Sequence, residues 1–273
     1  MNCPPKILVF DSGLGGLTVF SEITRLRPNL TYLYCADDAG FPYGSWNEEA
    51  LIDRVITIIS GLIATESPDM VVIACNTAST LVLSHLRRRW PMIPFIGTVP
   101  AIKPAAEQSR SHMISVLATP GTVKRDYTQK LITQFAGHCQ VTLVGSGNLA
   151  GLAERAMHHG EINDAEIISE IMPCFVEIND KRTDSIVLAC THYPLLLKEF
   201  HRLAPWPVDW INPAPAIARR VDYLLMQHCQ ELLTQQSLNK RSAIFTSGKK
   251  PDLLLKNLLN DYGLSQASDV TTR

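Results

Sequence analysis

The sequence predicts an α/β protein made of two similar α/β domains with mainly parallel sheets. Short apolar runs rich in β-branched residues alternate along the chain with longer segments of helical period. The runs are continuously apolar rather than alternating, as strands covered on both faces are. The order of elements also repeats in the two halves, and two of the runs close on matching words: Val71-Val72-Ile73-Ala74-Cys75-Asn76-Thr77 and Ile186-Val187-Leu188-Ala189-Cys190-Thr191-His192.

Taken in order, strands are predicted at 6–10, 32–36, 70–74, 94–97, 113–118, 141–144, 185–189, 208–211 and 243–246. Each is a short apolar run bounded by polar or turn-forming residues. Helices lie between them. Leu17, Phe20, Ile23 and Leu26 share one helical face, as do Leu51, Ile52, Val55, Ile59 and Leu62 behind a cap at Asn47, and Ile217, Val221, Leu224 and Leu225. Behind Cys75, residues 77–88 form a helix with Leu81, Val82 and Leu86 inward. Behind Cys190, Thr191 or His192 caps a helix with Pro194 in its first turn.

The repeat pairs these elements. In the first half a strand ends at Asp11-Ser12-Gly13, a capped helix begins near Asn47 and a strand ends at Cys75. In the second a strand ends at Thr119-Pro120-Gly121-Thr122, a helix begins near Asn163 and a strand ends at Cys190.

Composition excludes several function classes. A chain of 273 residues can bury a substantial core, and its net charge of −1 points away from nucleic acid. The one compact basic run, Arg87-Arg88-Arg89, ends a helical pattern and reads as a solvated face. The apolar runs are far shorter than the roughly 20 residues of a membrane span, and no signal segment opens the chain. Seven cysteines, an odd number without CxxC spacing, indicate neither a disulfide framework nor a zinc knuckle, and fit a reducing cytoplasm. Cys35, Cys139, Cys174 and Cys229 read as inert packed cysteines.

Ligands of parallel sheets bind beyond the carboxyl ends of the strands, where Cys75 and Cys190 stand, each before a helix. Helix N-termini favour thiolates and bind carboxylates, so a small anionic substrate suits such a pair. Asn76, Thr77, Thr191 and His192 supply hydrogen bonds there. A cysteine hydrolase needs one thiolate and a histidine, and redox chemistry would join two thiols. Inversion of a carbon stereocentre needs a base on one face and an acid on the other, which two equivalent cysteines meet most directly. The loop Asp11-Ser12-Gly13-Leu14-Gly15-Gly16 fails the dinucleotide fingerprint, since Thr18 stands where its last glycine belongs. Asp11 reads as an acid that orients a substrate ammonium or a thiol, or that caps the next helix, and Ser12 as a carboxylate contact.

Five motifs occur together in this order: Val9-Phe10-Asp11-Ser12-Gly13-Leu14-Gly15-Gly16, Pro42-Tyr43-Gly44, Ala74-Cys75-Asn76-Thr77-Ala78, Ala118-Thr119-Pro120-Gly121-Thr122 and Cys190-Thr191-His192-Tyr193-Pro194. Through them the chain resembles, over nearly its whole length, the glutamate racemases: cofactor-independent enzymes that interconvert L- and D-glutamate for peptidoglycan synthesis. The resemblance implies two α/β domains related by a pseudo-twofold axis, with the active site in the interdomain cleft. It places the first domain at residues 1–97 and 210–273 and the second at 98–209. It implies that Cys75 takes the α-proton of D-glutamate and Cys190 that of L-glutamate, assisted by Asp11 and His192 respectively. Ser12, Tyr43, Gly44, Asn76, Thr77, Thr119 and Thr191 then hold the substrate. No cofactor, metal, nucleic acid or membrane is expected, and the family includes homodimers of more than one arrangement.

Two segments depart from the family pattern. Gly145-Ser146-Gly147-Asn148-Leu149 stands where relatives commonly carry Cys-Pro ahead of a glutamate, and Glu154, which follows, reads as a solvated helix residue. Asn212-Pro213 stands where relatives show Asp-Ser. Members regulated by a cell-wall precursor tend to carry an N-terminal extension, and no such activator is expected for this chain. An aspartate racemase of the same superfamily, a cysteine-dependent amidase using Cys190 with His192, and a non-catalytic amino-acid binder are the competing readings. The Asp11-Ser12-Gly13 loop favours glutamate.

Overall fold

The computed structural model describes residues 4–160, 162–229 and 240–266, so Cys3 lies outside the described residues. The strands in chain order are β1 (Lys6–Asp11), β2 (Thr31–Ala36), β3 (Met70–Ile73), β4 (Phe95–Gly97), β5 (Met113–Ala118) and β6 (Gln140–Gly145). They continue with β7 (Glu177–Ile178), β8 (Lys181–Arg182), β9 (Ser185–Ala189), β10 (Asp209–Ile211), β11 (Arg241–Phe245) and β12 (Ser265–Gln266). The chain divides into two units, Met1–Thr98 with Ala214–Arg273, and Val99–Pro213.

The first unit holds a parallel six-stranded sheet in the order β12-β11-β2-β1-β3-β4. Period-two alternation sends Leu8 and Phe10 to one face. There they join Leu51, Val55, Ile59 and Leu62 of helix Glu48–Glu66 and Ala78, Val82 and Leu86 of helix Asn76–Arg89, all buried. Each such aliphatic side chain contributes about 2 kcal/mol of burial. On the other face Tyr32 and Tyr34 meet Phe20 of helix Leu17–Leu26 edge-on, with ring centroids 5.6 and 6.0 Å apart. Asn47 caps Glu48–Glu66 as expected, its Oδ1 accepting from the amides of Glu49 and Ala50. Arg87, Arg88 and Arg89 are exposed in the last turn of their helix, where the dipole favours cations.

The second unit holds a parallel four-stranded sheet in the order β10-β9-β5-β6, and a separate antiparallel hairpin, β7-β8. Ile114, Val116 and Ala118 of β5 and Val187 and Ala189 of β9 pack with Ile102, Ala105 and Ala106 of helix Ile102–Gln108. On the opposite face Ser115 donates to the Cys174 carbonyl at 2.6 Å. Asn163 caps helix Asp164–Ile171 through the amide of Ala165. Because Asp209–Ile211 pairs with β9, the second boundary falls after Pro213 rather than after residue 209.

The predicted repeat is visible in the strand order. The run β2-β1-β3-β4 of the first sheet and the run β6-β5-β9-β10 of the second have the same connectivity. β1 and β5 are equivalent central strands, and β3 and β9 are the equivalent strands that lead into Cys75 and Cys190. No described helix is long and apolar enough to cross a membrane. The six described cysteines form no disulfide.

Candidate functional site

In the first unit, Asp11 and Cys75 stand at the carboxyl ends of adjacent strands β1 and β3. Asp11 is fully buried, and its Oδ2 accepts from the backbone N–H of Gly16 at 2.8 Å and of Gly13 at 3.3 Å. Gly16 is the N-cap residue of helix Leu17–Leu26 and no side chain caps that helix, so Asp11 is not its N-cap as the capping alternative had it; its carboxylate instead holds the loop leading into the helix. Tyr34 donates to the Gly13 carbonyl at 2.6 Å from the other side. A Cβ on Gly16 would meet Asp11 Cβ at 2.6 Å, so only glycine lets the loop close over the carboxylate.

Cys75 occupies the N-cap position of helix Asn76–Arg89 in extended conformation, and its thiol donates to Ser12 Oγ at 3.8 Å. Ser12, Asn76 and Thr77 are all buried. Neither the nitrogen nor the oxygen of the Asn76 side-chain amide has a hydrogen-bond partner among the described residues, although the side chain is only 2% exposed. Leaving a buried amide unpaired costs about 1–3 kcal/mol.

Tyr43 shares an apolar cluster with Cys75, with Gly44 half-buried after it. The Tyr43 hydroxyl donates to Asp37, a fully buried carboxylate that Arg54 grips through Nε and a terminal nitrogen, both at 2.6 Å. Thr246 also donates to Asp37. Burial, then the Asp37 charge, push the Tyr43 phenol far above its ordinary value and keep it a neutral donor. Asp37 and Arg54 were missed by sequence reasoning. The available signal was an acid directly after β2, one residue beyond the register position that Asp11 holds at the end of β1.

In the second unit, β9 delivers Cys190. The following residues form a single 3₁₀ turn, Tyr193–Leu196, before helix Leu197–Leu203, and no side chain caps that turn. His192 holds the expected N-cap position of that turn, with Pro194 in its first turn, but its side chain makes no cap hydrogen bond. His192 instead turns Nδ1 toward Cys190 Sγ at 3.9 Å and Nε2 to Glu154 Oε1 at 2.7 Å. His192 is 2% exposed, and Glu154 also approaches His158 Nε2 at 3.5 Å. Glu154 is thus not the solvated helix residue the sequence suggested: helix Leu149–His159 turns it inward, 14% exposed, onto a histidine 38 positions away. A carboxylate accepting from Nε2–H fixes the neutral tautomer with Nδ1 as acceptor, so the ring can exchange a proton with the thiol.

The loop that departs from the family pattern supports this arrangement. Ser146 Oγ accepts from the Leu149 amide at 3.0 Å and donates to the Glu170 carboxylate, anchoring the start of the helix that carries Glu154. Thr119, buried at the end of β5, caps Pro120–Val123 through the Thr122 amide and meets the Thr122 hydroxyl at 3.0 Å. Thr191 is buried beside Cys190.

Of the cysteines read as inert, Cys35 and Cys174 are fully buried, and burial raises both thiols, that of Cys174 to about 12. Cys174 closes a 3₁₀ turn and Cys229 follows helix Ala214–His228. Cys139 is the exception, being only half-buried.

The sequence profile of the Asp/Glu/Hydantoin racemase family matches residues 18–221. Glutamate racemase of Brucella canis is 54% identical over 260 residues, covering 94% of this chain and 92% of that protein. That of Agrobacterium fabrum is 52% identical, covering 96% and 95%. The solved Escherichia coli glutamate racemase, in complex with L-glutamate and the activator UDP-MurNAc-ala, superposes with a TM-score of 0.85 at 34% identity, covering 97% of this chain and 98% of that one. With two matching thiol-bearing strand ends and a profile spanning most of both units, the chain belongs to the Asp/Glu/Hydantoin racemase family.

Proposed function

We propose that this chain interconverts L- and D-glutamate without a cofactor, Cys75 taking the α-proton of D-glutamate and Cys190 that of L-glutamate. The observation that carries the reading is the equivalence of β3 and β9, which brings one thiol to the same topological position in each unit. The glutamate racemases at 54% and 52% identity, and the E. coli relative bound to L-glutamate, support the substrate.

For D-glutamate, the Cys75 thiolate accepts the α-proton, forming an S–H bond and leaving the C–H electron pair on the α-carbon. The Cys190 thiol then gives its proton to the opposite face, leaving a thiolate. The turnover ends with the two cysteines in exchanged protonation states, which is the starting state for L-glutamate. His192 receives or returns the Cys190 proton, with Glu154 stabilising the imidazolium. The carbanionic transition state is very high in energy, so fixed donors must carry its charge. Ser12, Asn76, Thr77, Thr119 and Thr191, with the amides of the loop that Asp11 holds, are the candidates to bind the carboxylates and ammonium. Tyr43 and Gly44 bound the site beside Cys75. This reading places the enzyme in the cytoplasm, supplying D-glutamate for peptidoglycan.

The test is to incubate the purified chain with each glutamate enantiomer, no cofactor added, and to follow the enantiomer ratio by chiral chromatography alongside ammonia. Convergence on a one-to-one ratio from both sides is the expected result. In parallel incubations, ammonia release from glutamine without glutamate racemisation identifies an amidase, racemisation of aspartate alone identifies the related activity, and no change in any of them identifies a binder. Each of these three outcomes overturns the proposal.

A further inference from the structure

At the amino-terminal edge of the second sheet, three ligating side chains outside the candidate site converge. His112 immediately precedes β5, and His138 and Cys139 immediately precede β6. One ring nitrogen from each histidine and the Cys139 sulfur all lie within 4.8 Å of one another. The imidazoles meet edge-on with centroids 5.5 Å apart. Both histidines are exposed and the thiol is half-buried, so an ion reaches them from solvent.

The backbone holds the three in place. The Gln140 amide donates to the His112 carbonyl at 2.7 Å, and Met113 is paired with Gln140 in the parallel ladder. The Cys139 amide donates to the Ala136 carbonyl at 2.9 Å. The turn before His112 is fixed by Asp184, whose carboxylate accepts from the amides of Arg110 and Ser111, both at 2.8 Å. Two imidazoles and one thiolate suit borderline-soft divalent ions, and three protein ligands plus water complete a four-coordinate site.

We propose that His112, His138 and Cys139 bind a divalent transition-metal ion, zinc by preference, as a surface staple joining the entries of β5 and β6. Along β5 the site is roughly 23 Å from the carboxyl edge where Thr119 and Cys190 stand, so the ion is structural and takes no part in proton transfer. By binding the folded chain it stabilises the second unit through mass action. Its ligands are too widely spaced in sequence to form a zinc motif.

The test is titration of the full chain with Co²⁺ and then Zn²⁺, in a Cys75→Ser/Cys190→Ser background that removes the two site thiols. One Co²⁺ per chain, a thiolate-to-cobalt charge-transfer band and displacement by Zn²⁺ are expected. Cys139→Ser abolishes the band, and His112→Ala or His138→Ala weakens binding at least about tenfold. A band that survives Cys139→Ser, or none at all, overturns the proposal. The histidines are exposed, so their variants remain decisive even if Cys139→Ser fails to fold. Zn²⁺ should raise the melting temperature of the parent and not of His138→Ala; equal shifts in both overturn the proposal.

Discussion

Glu154 Oε1 lies 2.7 Å from His192 Nε2, and the opposite nitrogen of that ring faces the Cys190 sulfur at 3.9 Å. The alignment sets a sulfur, an imidazole and a carboxylate in a row in the second unit, the arrangement that the proposed proton transfer at Cys190 uses. The thiol of the first unit faces a serine hydroxyl instead. The two cysteines are equivalent in topology and different in their immediate partners.

Glu154→Ala is expected to lower kcat/KM by about 10²-fold, equally in both directions, because the equilibrium constant between enantiomers is one. The directions separate by isotope effect. Slowed transfer at Cys190 should give a larger primary effect with α-deuterated L-glutamate than in the parent, and leave that with α-deuterated D-glutamate small. Equal enlargement with both enantiomers would mean that Glu154 acts on the whole fold and not on His192.

Arg54→Met leaves the Asp37 carboxylate buried without its guanidinium. Removing one partner of such a pair costs about 3–5 kcal/mol, which urea denaturation measures directly. Asp37→Asn in the same chain should recover part of that loss, because the uncompensated charge is gone. A single variant within about 0.5 kcal/mol of the parent would show that Tyr43 and Thr246 alone satisfy Asp37.

Two glycines should respond oppositely to alanine. Gly16→Ala drives a methyl against Asp11, Tyr34 and Ala74 and should cost about 1–3 kcal/mol together with most of the activity. Gly61 lies within helix Glu48–Glu66 with nothing near its added Cβ, so Gly61→Ala should stabilise by up to about 1 kcal/mol. Paired denaturation curves check both.

Burial holds Cys174 protonated, its thiol raised from 9.0 to about 12. The unfolded chain releases that proton above about pH 9 while the folded chain keeps it. Stability therefore falls as pH rises from about 9 toward 12, by about 1.4 kcal/mol per pH unit for this thiol. Cys174→Ala should flatten the fall by one proton's worth, read from urea midpoints across that range. An unchanged slope would contradict the burial argument.

Much of this architecture is legible in the residues because buried parallel strands leave a strong mark: continuous β-branched runs such as Met70-Val71-Val72-Ile73 cannot sit at a surface. Short polar elements leave little. The hairpin β7-β8 is two residues a side and exposed, and its one signal is Asn179-Asp180, both at positive φ, as a two-residue hairpin turn requires. The motifs also carried the thiols, Asp11 and His192, since each ends a strand or follows one. Glu154 and Arg54 were hidden because their partners come from distant sequence, and a single charged residue on an amphipathic helix looks the same whether it faces water or a buried group. At Ser146 the family pattern misled, because a serine that accepts from the Leu149 amide stands in place of the expected residues, and the helix behind it still brings Glu154 to His192.

The most direct measurement of the two-thiol account is the fate of the α-hydrogen in deuterated water during early conversion of L-glutamate. If one cysteine removes the proton and the other supplies a new one, the D-glutamate formed is fully α-deuterated while recovered L-glutamate remains protiated. Starting from D-glutamate gives the mirror result. Product that keeps its original proton, or deuterium entering recovered substrate as fast as product, would mean that a single base serves both faces and would contradict the roles given to Cys75 and Cys190.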